Sequence, residues 1–279
     1  MLRILSRAIS AAPSTTSEEA TRKFWNSMSE FYTKHHLQIS NKNYQAMAPF
    51  LSLSTASSLL DAGCGIGNGY PIFAKHAGKA LKVSMIDISD ENVSKAKAIY
   101  GDKADIRRSN AESLPFKPNQ FDAYVANGLL EIADNPDWVI AEAFRTLKSG
   151  GHAAFSLYGR MGICNVLRIY KRIANSLRLE RGTFSAKFEL SEPEKVKAMV
   201  KNAGFGQCLS FYEQYHYPQL TVDELISIFL DNPLLQEEAK TLGKTKQLES
   251  VIREELFNII EVKEEPLIFE SLVIVAAKP

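Results

Sequence analysis

The chain has few cysteines, no long uncharged apolar run and no surplus of either charge, and each of these absences excludes a class of protein. Only three of the 279 residues are cysteines, too few and too scattered for a disulfide framework or a zinc cage. No stretch of about 18 uncharged apolar residues occurs, so no membrane-spanning helix is predicted. The few scattered cysteines give no reason to predict a metal site. The 33 Lys and Arg residues against 32 Asp and Glu residues leave a net charge of +1, without the basic surplus typical of nucleic-acid binders.

The first seventeen residues differ in composition from the rest of the chain. Residues 1–17 contain two arginines, several Ser and Thr and no acid, and their apolar residues recur at helical spacing. Amphipathic, basic and acid-poor segments of this kind are typical of mitochondrial transit peptides. The same composition also fits a frayed N-terminus. The segment therefore predicts a protein of the mitochondrial matrix, with a cytoplasmic one as the alternative.

Short apolar runs alternate with amphipathic stretches from residue 57 onward. The predicted strands cover 58–61, 81–86, a short segment from 106, 121–126 and 151–158. The predicted helices between them cover 70–76, 91–100 and 137–148. Strands separated by single helices imply right-handed crossovers and a parallel sheet covered on both faces. The pattern predicts a doubly wound, mostly parallel α/β sheet.

Two helical regions lie outside this alternation. Predicted helices at 21–32 and 44–53 precede the first strand and indicate an N-terminal helical cap over 18–56. A helix at 194–202, a strand at 208–217, a largely helical insert at 222–261 and a last strand at 267–276 follow the fifth strand. The main domain therefore covers 57–279. Because the last strand follows its neighbour without a standard crossover, the sequence leaves open whether it enters antiparallel.

The densest chemical signal is the glycine-rich loop DAGCGIGNG at 61–69, directly after the first strand. Glycines at this spacing let the backbone turn sharply and approach a ligand without an intervening Cβ. The helix that follows offers free N–H groups. Asp87 ends the second strand, twenty residues beyond Gly67, where a carboxylate can accept both hydroxyls of a ribose. Loop and acid together predict a nucleoside-binding site.

The acid at the entrance of this loop distinguishes between two kinds of nucleoside. Asp61 would repel the pyrophosphate that a dinucleotide places at the following helix. It would attract a ligand that carries an ammonium group. S-adenosylmethionine combines ribose, adenine and an amino-acid head, so the loop favours this cofactor over NAD.

Five segments together resemble the class I S-adenosylmethionine-dependent methyltransferases, of the small-molecule branch called type 11. They are LLDAGCGIGNG at 59–69, VSMIDIS at 83–89, NAESLPF at 110–116, FDAYVANGLLEIADNP at 121–136 and RTLKSGG at 145–151. The closing SLVIVAAKP is similar to the last strand of the same family. Their order and spacing match over roughly residues 57–158. The resemblance implies a Rossmann-like sheet of seven strands and methyl transfer to a small organic acceptor.

The resemblance also implies roles for individual residues. The glycine loop, including Cys64 as a small residue in a tight turn, would line the methionine half of the cofactor. Asp87 would hold the ribose, Ile88 would pack on the adenine, and Asn110 with Ala111 would meet the adenine edge. Asn127 would lie near the sulfonium. The complete cofactor set is Asp61, Gly63, Cys64, Gly65, Gly67, Asp87, Ile88, Asn110, Ala111 and Asn127.

The acceptor site is less defined than the cofactor site. Tyr32 and His36 belong to the N-terminal cap, which in this family folds over the substrate mouth, and Tyr158 ends the fifth strand, where ligands of such folds bind. These three residues are the candidate pocket. Leu130-Glu131 stands where the family often has Leu-His or His-His, which puts a histidine-assisted step in doubt. No catalytic residue and no oligomeric state are assigned.

Three other functions stay open at this stage. An RNA or protein methyltransferase is disfavoured by the neutral charge and by Asn127-Gly128 in place of an Asn-Pro-Pro-Tyr motif. A catalytically silent subunit or assembly factor is possible because binding a cofactor is not turnover. An NAD-dependent dehydrogenase is disfavoured by Asp61.

Overall fold

The computed structural model describes residues 15–78, 80–178, 188–217 and 221–279, and its centre is a seven-stranded sheet. The strands are β1 (Ser58–Ala62), β2 (Lys82–Asp87), β3 (Asp105–Arg108), β4 (Phe121–Asn127), β5 (Leu147–Tyr158), β6 (Cys208–His216) and β7 (Ile268–Ala277). Residues 1–14 of the predicted targeting segment, which covers 1–17, lie outside the described residues.

Helices cover the sheet and its carboxyl edge. They are α1 (Thr15–His35), α2 (Leu37–Met47), α3 (Tyr70–His76), α4 (Asp90–Tyr100), α5 (Pro136–Thr146), α6 (Asn165–Ser176), α7 (Pro193–Asn202), α8 (Val222–Leu230), α9 (Pro233–Thr241) and α10 (Thr245–Phe257). Short 3₁₀ turns at Ala48–Phe50 and Phe188–Ser191 and a π turn at Asn258–Val262 complete the described elements. Across the described ranges, no helix combines the length and the apolar character needed to cross a membrane.

The strand order is β3-β2-β1-β4-β5-β7-β6. All neighbours from β3 to β5 pair in parallel, whereas β7 pairs antiparallel with both β5 and β6. The prediction of a mostly parallel, doubly wound sheet of seven strands with a helical cap and insert is confirmed. The question that the sequence left open is also answered, since the last strand enters antiparallel, between its two neighbours.

The central strands are buried on both faces, as their continuous apolar sequences require. One core packs on the side of α5 and α7 and includes Tyr124 and Phe155. The other packs on the side of α3 and α4 and includes Phe73 and Met85. The sheet is thus held rigid between two helical layers, with its carboxyl edge free to carry a site.

Two element boundaries differ from the sequence prediction for identifiable reasons. The helix expected at 44–53 is α2, which begins at Leu37 and ends at Met47. Pro49 explains the early end, because it has no backbone N–H to continue the helical hydrogen bonds, and a 3₁₀ turn follows instead. Strand β5 begins at Leu147 rather than at Gly151. Gly150 has a φ of 79°, and the chain on both sides of it belongs to the strand.

The insert and α6 build a separate apolar cluster beside the sheet. Ile169 and Ile173 of α6 pack with Leu225 and Phe229 of α8 and with Ile252 of α10. The cap reaches this unit because Lys34 and His35 both bind the carboxylate of Asp231, at 2.5 and 2.8 Å. The cap, α6 and the insert therefore enclose the space above the carboxyl edge of the sheet.

Candidate active site

The glycine loop between β1 and α3 is tied to the second strand. The backbone N–H groups of Gly63 and Cys64 both donate to the carbonyl oxygen of Ile86, at 2.8 and 2.9 Å. Gly63, Gly65 and Gly67 have φ of 73°, 56° and 82°, which is left-handed backbone that favours glycine. This arrangement turns the chain sharply at the carboxyl edge of the sheet.

Gly65 and Gly67 have different roles in the loop. A Cβ on Gly65 would meet nothing within 4 Å, so this residue presents bare backbone to open space. A Cβ on Gly67 would approach Tyr100 to 3.0 Å and the sulfur of Met85 to 3.2 Å. Gly65 therefore lets a ligand approach the backbone, whereas Gly67 lets α4 pack closely on the loop.

The Asp87 carboxylate is buried and fixed against the same loop. Its Oδ2 accepts from the N–H of Gly65 at 2.9 Å, and its Oδ1 accepts from the N–H of Ser89 at 2.9 Å and from Asn92 at 3.3 Å. Burial raises the pKa of Asp87, and these hydrogen bonds lower it in part. A carboxylate offers about four acceptor positions, and these contacts occupy three, so one remains for a ribose hydroxyl and the long 3.3 Å contact from Asn92 can yield a second.

Asp61 is fully buried and covered by a residue of the cap. The Tyr44 hydroxyl donates to both carboxylate oxygens, at 3.0 and 3.1 Å. Burial raises the pKa of Asp61 to about 7, although the Tyr44 hydrogen bond opposes this and the charge of Asp87 adds to it. Tyr44 faces the cavity, and Asp61 lies behind it.

Asn127, at the end of β4, joins the sheet to α2. Its Nδ2 donates to the Ser40 carbonyl oxygen at 3.1 Å and to the Ser40 hydroxyl at 3.0 Å. Its Oδ1 accepts from Asn43 at 3.1 Å and from Ser156 at 2.6 Å. Asn127 therefore holds the cap helix over the end of the sheet.

The adenine end predicted from the sequence lies beside the third strand. Asn110 accepts from the N–H of Glu112 at 2.9 Å, which fixes its side chain. Its amide nitrogen lies 3.5 Å from a carboxylate oxygen of Glu18 on α1. Ile88 and Ala111 line the same end of the cavity.

The other end of the cavity is mainly apolar and aromatic. Its walls come from the cap, from β5 and β7 and from α6, and include Trp25, Leu37, Leu157, Val166, Leu167, Tyr170 and Phe269. Tyr32, His36 and Tyr158, the candidate pocket residues, lie here, half-buried. Burial lowers the pKa of His36 to about 4, so this imidazole is neutral at physiological pH and a weak base.

The structure brings almost all predicted site residues to one cavity. Asp61 and Gly67 are the two that do not line it. Sequence reasoning missed Ser40, Asn43 and Tyr44, whose polar groups reach the site only after α2 folds onto the sheet. It also gave no role to Glu131, which lines the cavity. Within the described residues, no group of three or more His, Cys, Asp or Glu side chains could hold a metal ion.

Comparisons with known proteins agree with this geometry. A family model described as a methyltransferase domain matches residues 60–155. The ubiquinone biosynthesis O-methyltransferase of Nitrosomonas europaea is 28% identical over 195 residues, which cover 65% of this chain and 76% of that protein. The demethylmenaquinone methyltransferase of Lactococcus lactis is 27% identical over 216 residues, covering 67% and 82%.

Two solved structures share the fold at low sequence identity. Phosphoethanolamine N-methyltransferase 2 of Haemonchus contortus, in complex with phosphomonomethylethanolamine and S-adenosylhomocysteine, has a TM-score of 0.57 at 18% identity, covering 92% of this chain and 60% of that one. The [4+2]-cyclase SpnF has a TM-score of 0.60 at 17% identity, covering 96% and 98%. The same architecture thus serves different reactions, so the acceptor must be argued from the site itself.

Proposed function

The chain belongs to the class I S-adenosylmethionine-dependent methyltransferases, and we propose that it transfers a methyl group to a small organic acceptor bound in the cavity above β4 and β5. The observation that carries this proposal is the continuity of the cavity. It runs from the bare backbone of Gly65 and the Asp87 carboxylate to an apolar chamber under the cap.

The residues at the first end fit S-adenosylmethionine in their chemistry. Asp87 has acceptor capacity for the ribose hydroxyls, and Asn110 offers an amide to the adenine edge. The negative charge of Asp61, carried next to Tyr44, favours an ammonium group at the methionine end. No Lys or Arg of the described chain lines the cavity, so no cationic side chain is present there to pair with a pyrophosphate.

When bound, S-adenosylmethionine supplies a methyl carbon that is already activated by its positive sulfur. The protein therefore contributes mainly position and orientation. Asn127 anchors the cap helix α2 across the strand ends, and Tyr44 closes it onto Asp61. The cap and α6 enclose the apolar chamber, which would hold the acceptor next to the cofactor.

The lining of the chamber indicates an uncharged, largely apolar acceptor. Aromatic and aliphatic side chains dominate its walls, and the absence of Lys and Arg among the described lining residues disfavours phosphate or carboxylate groups. The two relatives described above are named for ubiquinone biosynthesis and for demethylmenaquinone. A quinone precursor is accordingly the acceptor class we propose.

A mitochondrial location is a separate part of the proposal and rests on residues 1–17. Their two arginines and lack of acids support import into the matrix. A fluorescent protein fused behind residues 1–17 is expected to enter mitochondria, and a fusion with Arg3 and Arg7 both changed to Glu is expected to remain outside. Cytoplasmic fluorescence of the unmodified fusion would contradict the import proposal without affecting the enzymatic one.

The cofactor assignment can be tested without knowing the acceptor. Calorimetric titration of the purified protein is expected to show micromolar binding of S-adenosylmethionine and no binding of NADH. Binding of NADH alone would support a dehydrogenase. Binding of neither ligand would contradict the proposal and favour a silent subunit of a larger complex.

A further inference from the structure

One carboxyl group of the cavity has no part in holding the cap or the glycine loop. Glu131 lies in the segment that links β4 to α5, and it is only 1% exposed. Its Oε1 would be 3.9 Å from a Cβ on Gly128, so the carboxyl group lies over the backbone just beyond β4. Leu129, two residues before Glu131, packs against Gly63 of the loop. Glu131 thus lies where the two ends of the cavity meet.

Both carboxyl oxygens of Glu131 are buried without a hydrogen-bond partner in the described part of the chain. Buried polar groups are normally paired, because an unpaired one forfeits the hydrogen bonds it made to water. Since Glu131 also lines the cavity, a bound ligand can supply the missing partner. The backbone N–H groups of Glu131 and Tyr158 lower the pKa of this carboxyl group, but neither makes a hydrogen bond of normal geometry with it, so its acceptor capacity is left for a ligand.

Two tyrosine hydroxyls lie near this carboxyl group. A negative charge on Glu131 raises the pKa of Tyr32 on α1 and of Tyr158 on β5, which shows that both are within electrostatic reach. The two tyrosines also hydrogen bond with each other. The neutral His36 and the hydroxyl of Tyr170 also line this end of the cavity. Most of the remaining wall of the chamber is apolar.

We infer that Glu131 is the proton acceptor of this enzyme and that the acceptor substrate carries a hydroxyl group on an apolar skeleton, which the unpartnered carboxyl group binds. The inference rests on the proposed methyltransferase function. The Tyr32 and Tyr158 hydroxyls position the substrate oxygen beside Glu131.

The proton transfer balances with the methyl transfer. As the bond from the substrate oxygen to the methyl carbon forms, the bond from that carbon to sulfur breaks and its electron pair stays on sulfur. The hydroxyl proton passes to the Glu131 carboxylate and leaves to solvent after product release. Burial raises the pKa of Glu131 to about 8, more than the neighbouring backbone amides lower it. This brings the group closer to a phenolic hydroxyl of pKa about 10 and makes it a better-matched base.

A hydroxyl fits these groups better than an amine does. An aliphatic amine arrives as an ammonium ion near neutral pH, and it would need an ionised carboxylate to bind it. The buried Glu131 resists ionisation, and its charge reaches the Tyr32 and Tyr158 hydroxyls, which are neutral partners. A neutral hydroxyl can bind either protonation state of the carboxyl group.

Binding of three matched probes tests the inference independently of turnover. The probes are 4-hexylphenol, 4-hexylanisole and 4-hexylbenzylamine, which is cationic near neutral pH, and each is titrated into protein saturated with S-adenosylhomocysteine. Wild type is expected to bind the phenol about 10- to 100-fold more tightly than the anisole, which lacks the hydroxyl proton. Glu131→Leu should reduce this preference to less than threefold. Equal binding of phenol and anisole by wild type, or a preference for the benzylamine, would overturn the inference.

Turnover separates binding from proton transfer. Glu131→Gln keeps an acceptor oxygen but cannot take the proton, so its kcat with 4-hexylphenol is expected to fall about 10²- to 10⁴-fold while KM changes less than threefold. Glu237→Gln removes the same charge from the exposed side of α9 and should leave both constants unchanged. A kcat of Glu131→Gln within threefold of wild type would refute the role of Glu131.

Cofactor titration distinguishes failure of this inference from failure of the proposed function. All three variants are expected to bind S-adenosylmethionine as wild type does, and Glu131→Leu should melt no lower than wild type because an unpaired buried carboxyl group has been removed. If wild type itself does not bind S-adenosylmethionine, the proposed function fails. If it binds and the probe preferences are absent, only the role of Glu131 fails.

Discussion

Replacement of Asp87 by alanine is expected to weaken S-adenosylmethionine binding by about two to four orders of magnitude. The carboxylate would lose two hydrogen bonds to the ribose, each worth about 1.5–3 kcal/mol when the acceptor is charged, and every 1.4 kcal/mol is tenfold in affinity. The structure adds a second contribution, since the N–H of Gly65 would lose its acceptor at 2.9 Å. Calorimetric titration of the variant measures the sum.

Asp105→Ala is the matched control for this prediction. Asp105 begins the neighbouring strand β3, where it is exposed and paired with Arg107. Its replacement removes the same charge without touching the cavity, so cofactor affinity should stay within threefold of wild type. If Asp87→Ala also stayed within threefold, the ribose would have to bind elsewhere.

Replacement of Asp61 by asparagine is expected to stabilise the ligand-free protein at pH 8 and to weaken its binding of the cofactor. The folded-state pKa of about 7 lies above the ordinary value of 3.8, so folding favours the protonated acid. That stabilising contribution is complete below pH 4 and is lost as the pH rises to 7. A pKa difference of about 3 units corresponds to about 4 kcal/mol of folding free energy. Wild type loses this contribution when Asp61 ionises, whereas the asparagine variant does not.

Urea unfolding of ligand-free wild type and Asp61→Asn between pH 5 and pH 8 measures this difference. The free energy of unfolding of the variant should increase relative to that of wild type as the pH rises. Tyr44 can still donate to the amide oxygen in the variant. Titration with S-adenosylmethionine over the same pH range measures the cofactor affinity. Wild-type affinity should increase as the pH rises through 7, whereas the variant should bind weakly and with little dependence on pH. Parallel stability profiles for the two proteins would show that Asp61 is already ionised when folded.

The sheet and the cofactor end of the site could be predicted because their signals are local. A glycine loop flanked by a buried strand and a helix determines its own geometry, and Asp87 follows from the end of the next strand. Adjacent parallel strands bring both to one edge without further information. The antiparallel entry of β7 could only be left open, because strand order depends on how the insert packs beside α6.

The acceptor end could not be predicted in the same way. Tyr44 contacts Asp61 only because α2 lies across the strand ends, and no residue pattern within α2 specifies that docking. Glu131 did carry a signal, since an acid stands where related sequences often have histidine. Its chemical role depends on burial and on the missing hydrogen-bond partners, which are properties of the folded chain.

The position of β7 has a consequence for the order of events during synthesis. β7 lies between β5 and β6, yet it is translated after both of them and after the insert that separates it from β6. A nascent chain that has emerged from the ribosome only as far as the insert leaves one edge of β5 and of β6 unpaired, with Phe155 and Leu157 still lacking their neighbours Ile274 and Leu272. Chaperones would therefore meet an open, aggregation-prone sheet edge until residues 268–277 are available.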